Sequence, residues 1–337
     1  TPPRRTPADN PKQTQDISTM PTFSTPPARI LGCDVGKSSI VIFDTASGVC
    51  RSVPNKKPDL LRLARTLGPG CLVVCEATGG YEAKLLSAML AAGVAAHRAD
   101  ARKVKAFIRS FGTLGKSDAI DAQALARYGA ERWKALLLWE QPDPVREQLQ
   151  ALVLLRIDLV KLRQAQSNRL AAPQARFVAA AVKALIREIE KQLRAVEQQI
   201  RELVRSHPAL QRDAAVLKTI PGIGEITAHA LAALMPELGG LGGAQAAALA
   251  GVAPHPHESG HRIGYRKTRG GRPDVKRTLF MAALAASKAK GALSAFYERL
   301  IKRGKKPIVA ITAIMRKLIV IANARLRDER KVATQVS

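Results

Sequence analysis

Apolar residues are spaced in two different ways along this chain, and the change falls near residue 140. Before it, short apolar runs alternate with helical spacing. Residues 30–34 (Ile-Leu-Gly-Cys-Asp) read as a buried strand ending in an acid, and 39–44 (Ser-Ile-Val-Ile-Phe-Asp) as a second strand. The Gly36-Lys37 turn between them predicts a hairpin. Residues 48–53 suit a third strand, and leucines over 58–67 have helical spacing. The run Cys-Leu-Val-Val-Cys at 71–75 is what a central strand covered on both faces requires. A helix over 81–92, a strand over 94–97, and helices over 101–111 and 117–130 complete an α/β domain. Gln141-Pro142-Asp143-Pro144 punctuates its end.

After that point the pattern becomes helical. Residues 145–206 hold no Gly and only Pro173, with Leu and Val recurring at three and four residues. This predicts a long antiparallel helical hairpin or coiled coil, pairing within the chain or between chains. Pro221-Gly222-Ile223-Gly224 lies between helical segments, 254–277 is polar and rich in His and Arg, and helices resume from Lys276 to about Arg327. The expected organisation is a disordered basic tail (1–28), an α/β domain (29–140), the helical hairpin (145–206), a mainly α C-terminal domain (207–327) and a short tail (328–337).

Composition sharpens this picture. In 337 residues the aromatic share is only 4%, and Ala and Leu take its place, which favours helix. There are 54 Lys and Arg against 27 Asp and Glu, a formal net charge of +27. Such an excess calls for a polyanionic partner, nucleic acid or a membrane surface. No apolar run approaches the ~20 residues needed to span a bilayer, and no signal peptide is visible. The expectation is a cytoplasmic, nucleoid-associated protein with no membrane partner. Cys33, Cys50, Cys71 and Cys75 lack a second pair at zinc spacing, so buried free thiols and no zinc site are expected.

The chemistry lies in four acids. Asp34 ends the first strand, Glu76 ends the strand begun at Cys71, and Asp118 and Asp121 share one face of a helix. Chemistry in an α/β sheet collects at the carboxyl ends of strands. Singly, each acid suits a turn or a solvated helix face, and Ser117 suits a helix cap. As a set they would repel one another unless offset by hard divalent ions such as Mg²⁺ (or Mn²⁺), two of which can clamp the attacking and leaving oxygens of a phosphodiester.

Three stretches carry a resemblance: Gly32-Cys33-Asp34-Val35-Gly36-Lys37, Glu76-Ala77-Thr78-Gly79-Gly80-Tyr81, and Lys116-Ser117-Asp118-Ala119-Ile120-Asp121-Ala122. They resemble the DEDD insertion-sequence transposases, relatives of the Piv and MooV DNA invertases with a RuvC-like, RNase H-type domain. The likeness runs from about residue 30 to 325 and implies that Asp34, Glu76, Asp118 and Asp121 are metal-binding catalytic acids. It extends to Leu249-Ala-Gly-Val-Ala-Pro254, Glu258-Ser259-Gly260 and Gly270-Gly271-Arg272, where the family implies that Ser259 is a nucleophile forming a phosphoserine ester. From the residues alone Ser259 stands no higher than other serines, and His255, His257 and His261 suit a base or phosphate contacts equally. The resemblance further implies a structured guide (bridge) RNA and a homo-oligomer, dimer or tetramer.

Pro221-Gly222-Ile223-Gly224 resembles a helix-hairpin-helix turn, whose amides can approach a phosphate. Arg262, Arg266, Lys267, Arg269, Arg272, Lys276 and Arg277 follow with few acids among them, a pattern that fits a phosphate-binding surface. Two other functions compete with the transposase: a hydrolytic nuclease of the junction-resolvase kind, which needs the acids but not Ser259, and a non-enzymatic basic DNA-binding protein.

Overall fold

The computed structural model describes residues 23, 25–112, 115, 117–256, 258–259, 262–263 and 266–335. Most of the 1–28 segment expected to form a disordered tail therefore lies outside the described residues. The chain divides into two compact units, residues 1–141 and 142–337.

The first unit opens with β1 (Arg29–Val35), β2 (Ser39–Asp44), β3 (Val49–Pro54) and α1 (Lys57–Arg65). Then follow β4 (Cys71–Glu76), α2 (Ala83–Ala91), β5 (Ala95–Ala99), α3 (Ala101–Arg109) and α4 (Asp118–Arg132). The strands form one mixed sheet in the order β3-β2-β1-β4-β5. β1 pairs antiparallel with β2, and β2 with β3; β1–β4 and β4–β5 are parallel.

Strand alternation sorts the core into two layers. Leu31, Cys33 and Val35 of β1 and Val73 and Cys75 of β4 pack with Leu60, Leu85 and Met89 from α1 and α2. Ile30, Leu72 and Val74 pack on the opposite face with Val104, Phe107, Leu125 and Tyr128 from α3 and α4. That double cover is why 71–75 carries no polar residue. The outer edge of β5 is capped by backbone, the Trp139 amide donating to the Ala96 carbonyl at 2.7 Å. α2 begins at Ala83 rather than at 81 because Glu82 is drawn back into the preceding loop.

The second unit is mainly helical. α5 (Pro144–Leu170) and α6 (Ala179–Ser206) pair within the chain. The buried stripe on α6 (Val182, Ile189, Leu193, Val196, Ile200, Val204) has the three-and-four spacing of a packed helical seam. Arg156 bonds Glu197 across the pair at 2.8 Å. α7 (Pro208–Lys218), α8 (Glu225–Leu234) and α9 (Gly243–Leu249) follow. Two short ribbons come next, β6 (Pro254–His255) with β9 (Lys267–Thr268) and β7 (Glu258–Ser259) with β8 (Arg262–Ile263). α10 (Pro273–Lys288), α11 (Ala292–Lys302) and α12 (Pro307–Gln335) end the chain. One cluster runs from Leu149 on α5 to Leu326 on α12, so the helical pair shares its core with the C-terminal helices.

α12 corrects one expectation. Over Pro307–Val332 it is long and apolar enough to cross a membrane. Within this fold its apolar stripe, including Ile311, Ile314, Leu318 and Ile319, lies in the core of the second unit. The helix also continues past residue 327, where the pattern predicts a tail. Arg330 holds it there, donating to the Leu238 carbonyl at 2.6 Å and to buried Asp213 at 3.0 Å.

Candidate functional site: acids on one sheet face and a basic ribbon

The path of α4 over the sheet decides where the acids stand. Gly32 leaves room for the backbone of Ala122 and Ala126 to lie directly on β1. Farther along the helix, Gly129 faces Ile30, Leu72 and Val74. Toward its start, the Ala119 carbonyl lies 3.9 Å from the Cys50 sulfur on β3. The helix therefore slants across the sheet with its first turn on the β3 side.

Asp34 is two residues beyond Gly32, and Glu76 two beyond Val74, so both acids face the α4 side. They occupy neighbouring positions on parallel strands, one step past the Cys33–Cys75 pair. Asp118 and Asp121 lie in the first turn of α4, four residues before Ala122 and Leu125 on its sheet-facing stripe. Ser117 caps that turn, accepting from the Ile120 amide at 3.3 Å. The fold thus brings Asp34 and Glu76 side by side and Asp118 and Asp121 to the same face. Among the described residues no three His, Cys, Asp or Glu groups converge tightly enough to hold an ion as the side chains stand. Four carboxylates without sulfur or imidazole are the kind of donors that hard divalent ions take.

Two residues absent from the sequence reading hold this end of the sheet. Glu82 is buried, and one of its oxygens accepts from the Thr78 amide (3.1 Å), the Thr78 hydroxyl (3.2 Å) and the Gly80 amide (2.9 Å). Its other oxygen lies 3.7 Å from Arg98. It fixes the loop leaving Glu76. Burial pushes its pKa up, but the backbone donors and Arg98 outweigh that and leave it below the usual carboxylate value. Asn55 is buried too and donates to the Gly36 carbonyl (2.9 Å) and the Tyr81 carbonyl (3.1 Å), tying the turn after Asp34 to the loop after Glu76. Both look like ordinary surface polar residues in sequence; the folded loop around Glu82 with Arg98, and the distant carbonyls bound by Asn55, give them away.

Cys50 is free but only half-buried, against the expectation of buried thiols, and its sulfur meets the first turn of α4. Cys33, Cys71 and Cys75 are buried and free, and burial pushes Cys75 up to about 12.

In the second unit the segments 249–254 and 270–272 meet. The Arg272 amide donates to the Leu249 carbonyl at 2.9 Å, and Gly251 and Gly271 touch backbone to backbone. This contact roots the β6–β9 ribbon, from which the β7–β8 hairpin bearing Ser259 extends; His257 and His261 lie outside the described residues. Lys267 and Arg269 are exposed. Arg266 is exposed as well, and Arg262 is placed on β8. Lys276 donates to the Thr268 hydroxyl at 3.0 Å, and Arg277 pairs with Asp274 at 2.9 Å. Arg272 is committed inward, donating to Glu237 at 2.6 and 2.8 Å and to the Leu234 carbonyl at 2.6 Å. The turn at 221–224 joins α7 to α8, with Gly222 at φ +89° pressed on α10, where a Cβ would lie 2.5 Å from the Ala282 carbonyl oxygen. Glu225 already places a carboxylate in the first turn of α8.

Residues 31–173 match a transposase family model of the DEDD IS110 type, and residues 214–298 match the transposase IS116/IS110/IS902 family. The "Pilin gene-inverting protein" of Moraxella bovis is 30% identical over 268 residues, covering 77% of this chain and 80% of that protein. Its counterpart in Moraxella lacunata is 30% identical over the same shares. An uncharacterized protein of insertion element IS110 from Streptomyces coelicolor is 33% identical over 153 residues, 45% of this chain and 37% of that protein. A sheet that carries the acids on one face, the two transposase matches and relatives that cover most of the chain agree: the chain belongs to the IS110-type DEDD transposases and is a DNA recombinase.

Proposed function

We propose that this recombinase cuts and rejoins DNA by metal-assisted phosphoryl transfer, with Asp34, Glu76, Asp118 and Asp121 holding Mg²⁺ or Mn²⁺ and Ser259 attacking phosphorus. The observation that carries the reading is the common face: adjacent strands deliver Asp34 and Glu76 to the side on which α4 begins with Asp118 and Asp121. The mixed five-stranded sheet is consistent with an RNase H/RuvC-like first unit. A bound divalent ion supplies neutralising charge at the phosphate and at the departing oxygen.

The chain's own residues do the rest. In the forward step the Ser259 oxygen bonds to phosphorus, its proton passes to solvent water, and the bond from phosphorus to one ribose oxygen breaks. That oxygen takes up a proton. Attack by a hydroxyl of another strand reverses the sequence and frees Ser259, so the phosphodiester energy is kept for rejoining. The exposed Lys267 on β9 and Arg269 just after it attract DNA phosphates without reading sequence. A structured guide RNA and a homo-oligomer complete the reading; the charge of +27 suits the first.

The test pairs two variants of the full chain on a nicked DNA substrate in Mg²⁺. Asp34→Asn is expected to bind DNA and leave it uncut. Ser259→Ala is expected to bind but form no protein–DNA adduct that survives denaturant. Full recombination by Ser259→Ala would remove the serine from the mechanism and favour attack by water.

A further inference from the structure

A pocket of about 660 Å³ opens between the β6–β9 ribbon and the start of α12. Its size is that of a small-ligand site. Much of its lining is apolar: Val252, Pro254, Ile308, Val309 and Ala313. Ile308 and Val309 are 57% and 40% exposed, so this apolar lining is open to an occupant. Arg266, Lys267, Lys306 and Arg316 also line the pocket, and no acid is among the described lining residues. The polar remainder is Thr268 and Thr312. Thr312 spends its hydroxyl hydrogen on the Ile308 carbonyl at 2.8 Å, which leaves its oxygen an acceptor.

A pocket lined by apolar side chains and four cations has a specific chemical complement. A fully paired duplex offers phosphates but hides its base faces. A free phosphate or a simple anion has no use for the apolar lining. A nucleotide turned out of its helix presents both halves, a flat base to bury and phosphates on either side of it. The ribbon that forms one wall is also the root of the hairpin bearing Ser259. We propose that this pocket seats one unpaired nucleotide of the substrate DNA, its base over Pro254, Val309 and Ala313 and its flanking phosphates on Lys267, Lys306 and Arg316. The occupant is DNA because DNA is what this family recombines. The inference rests on the reading that the 254–272 segment faces DNA, and goes beyond it by naming a pocket for a single base.

The experiment measures binding of the full chain to three duplexes alike except at one position: fully paired, with a one-nucleotide bulge, and with an abasic bulge of the same backbone. Burial of a base should favour the bulge over the abasic bulge on the order of 10-fold. A 2-aminopurine bulge should change fluorescence on binding. Ala313→Trp, which fills the pocket, should erase the preference while leaving affinity for the paired duplex unchanged. Equal affinity of the wild-type chain for the bulge and its abasic counterpart overturns the proposal, and that comparison needs no variant to fold. A preference seen only when the bulged nucleotide is a ribonucleotide assigns the pocket to RNA and overturns it too. Failure to bind any of the duplexes would instead sink the DNA-facing reading of the ribbon.

Discussion

Gly32 on β1 and Ala122 on α4 meet so closely that a Cβ on Gly32 would stand 2.0 Å from the Ala122 carbonyl oxygen. The neighbour is backbone, so no side chain can swing away. Gly32→Ala should therefore lift α4 from the sheet and destabilise the chain by at least about 3 kcal/mol, the upper range of overpacking costs. A lowered urea midpoint for this variant is the expected measurement. An unchanged midpoint would show that the helix does not rest on β1 as described.

Glu82 should behave as a positioning residue. Glu82→Gln keeps the volume but replaces an oxygen that accepts three bonds from Thr78 and Gly80. Loss of hydrogen bonds to a charged group costs about 1.5–3 kcal/mol. Strand cleavage should slow and need more Mg²⁺ for half-maximal rate, while DNA affinity stays constant. A variant that lost DNA affinity in proportion to cleavage would instead show a wider structural collapse.

Arg272 and Arg269 should separate cleanly. Arg272 holds Glu237 and the end of α8, so Arg272→Ala should lower thermal stability by about 1.5–3 kcal/mol. Arg269 is exposed, so Arg269→Glu should leave the melting temperature alone and weaken DNA binding regardless of sequence. If the interface makes 6–10 phosphate contacts, wild-type affinity should drop ~10³–10⁵-fold between 50 and 200 mM salt. A near-flat salt response would contradict a phosphate-dominated surface.

Asp44 predicts a pH dependence. Arg29 donates to both of its oxygens, and the Ala46 amide adds a third bond. The Arg29 hydrogen bond, against a smaller opposing effect of burial, holds the Asp44 carboxyl below its usual value. A carboxylate depressed in the folded state stabilises fully above its unfolded pKa and loses that contribution as pH falls through the lower folded value. Asp44→Asn should destabilise the chain near neutrality by about 1.5–3 kcal/mol. The gap from wild type should close in acid, below the usual aspartate range. A gap that stayed constant down to the lowest pH would rule out the charged pair as its source.

The sequence by itself determined the elements and the order of the acids. Alternation in 30–34 and 39–44, the unbroken apolar run at 71–75 and the three-and-four spacing after 145 follow from which side chains must leave water, and each is local enough to read along the chain. Asp34 and Glu76 could be placed at strand ends for the same reason. The sequence could not decide which face those acids share with α4, because that depends on Gly32 accepting a helix backbone that lies ninety residues farther on. It could not show that Glu82 and Asn55 are buried, since that depends on the loop before Glu82 folding back onto it beside Arg98 and on distant carbonyls that Asn55 binds. Nor could it sort the basic run between duties. Arg272 and Arg269 are alike in one dimension, and only the return of 270–272 onto 249–251 turns one inward to Glu237 and leaves the other in water. Hydrophobic patterning fixes what each segment becomes; the pairing of distant backbone surfaces decides which polar residues are left to do chemistry.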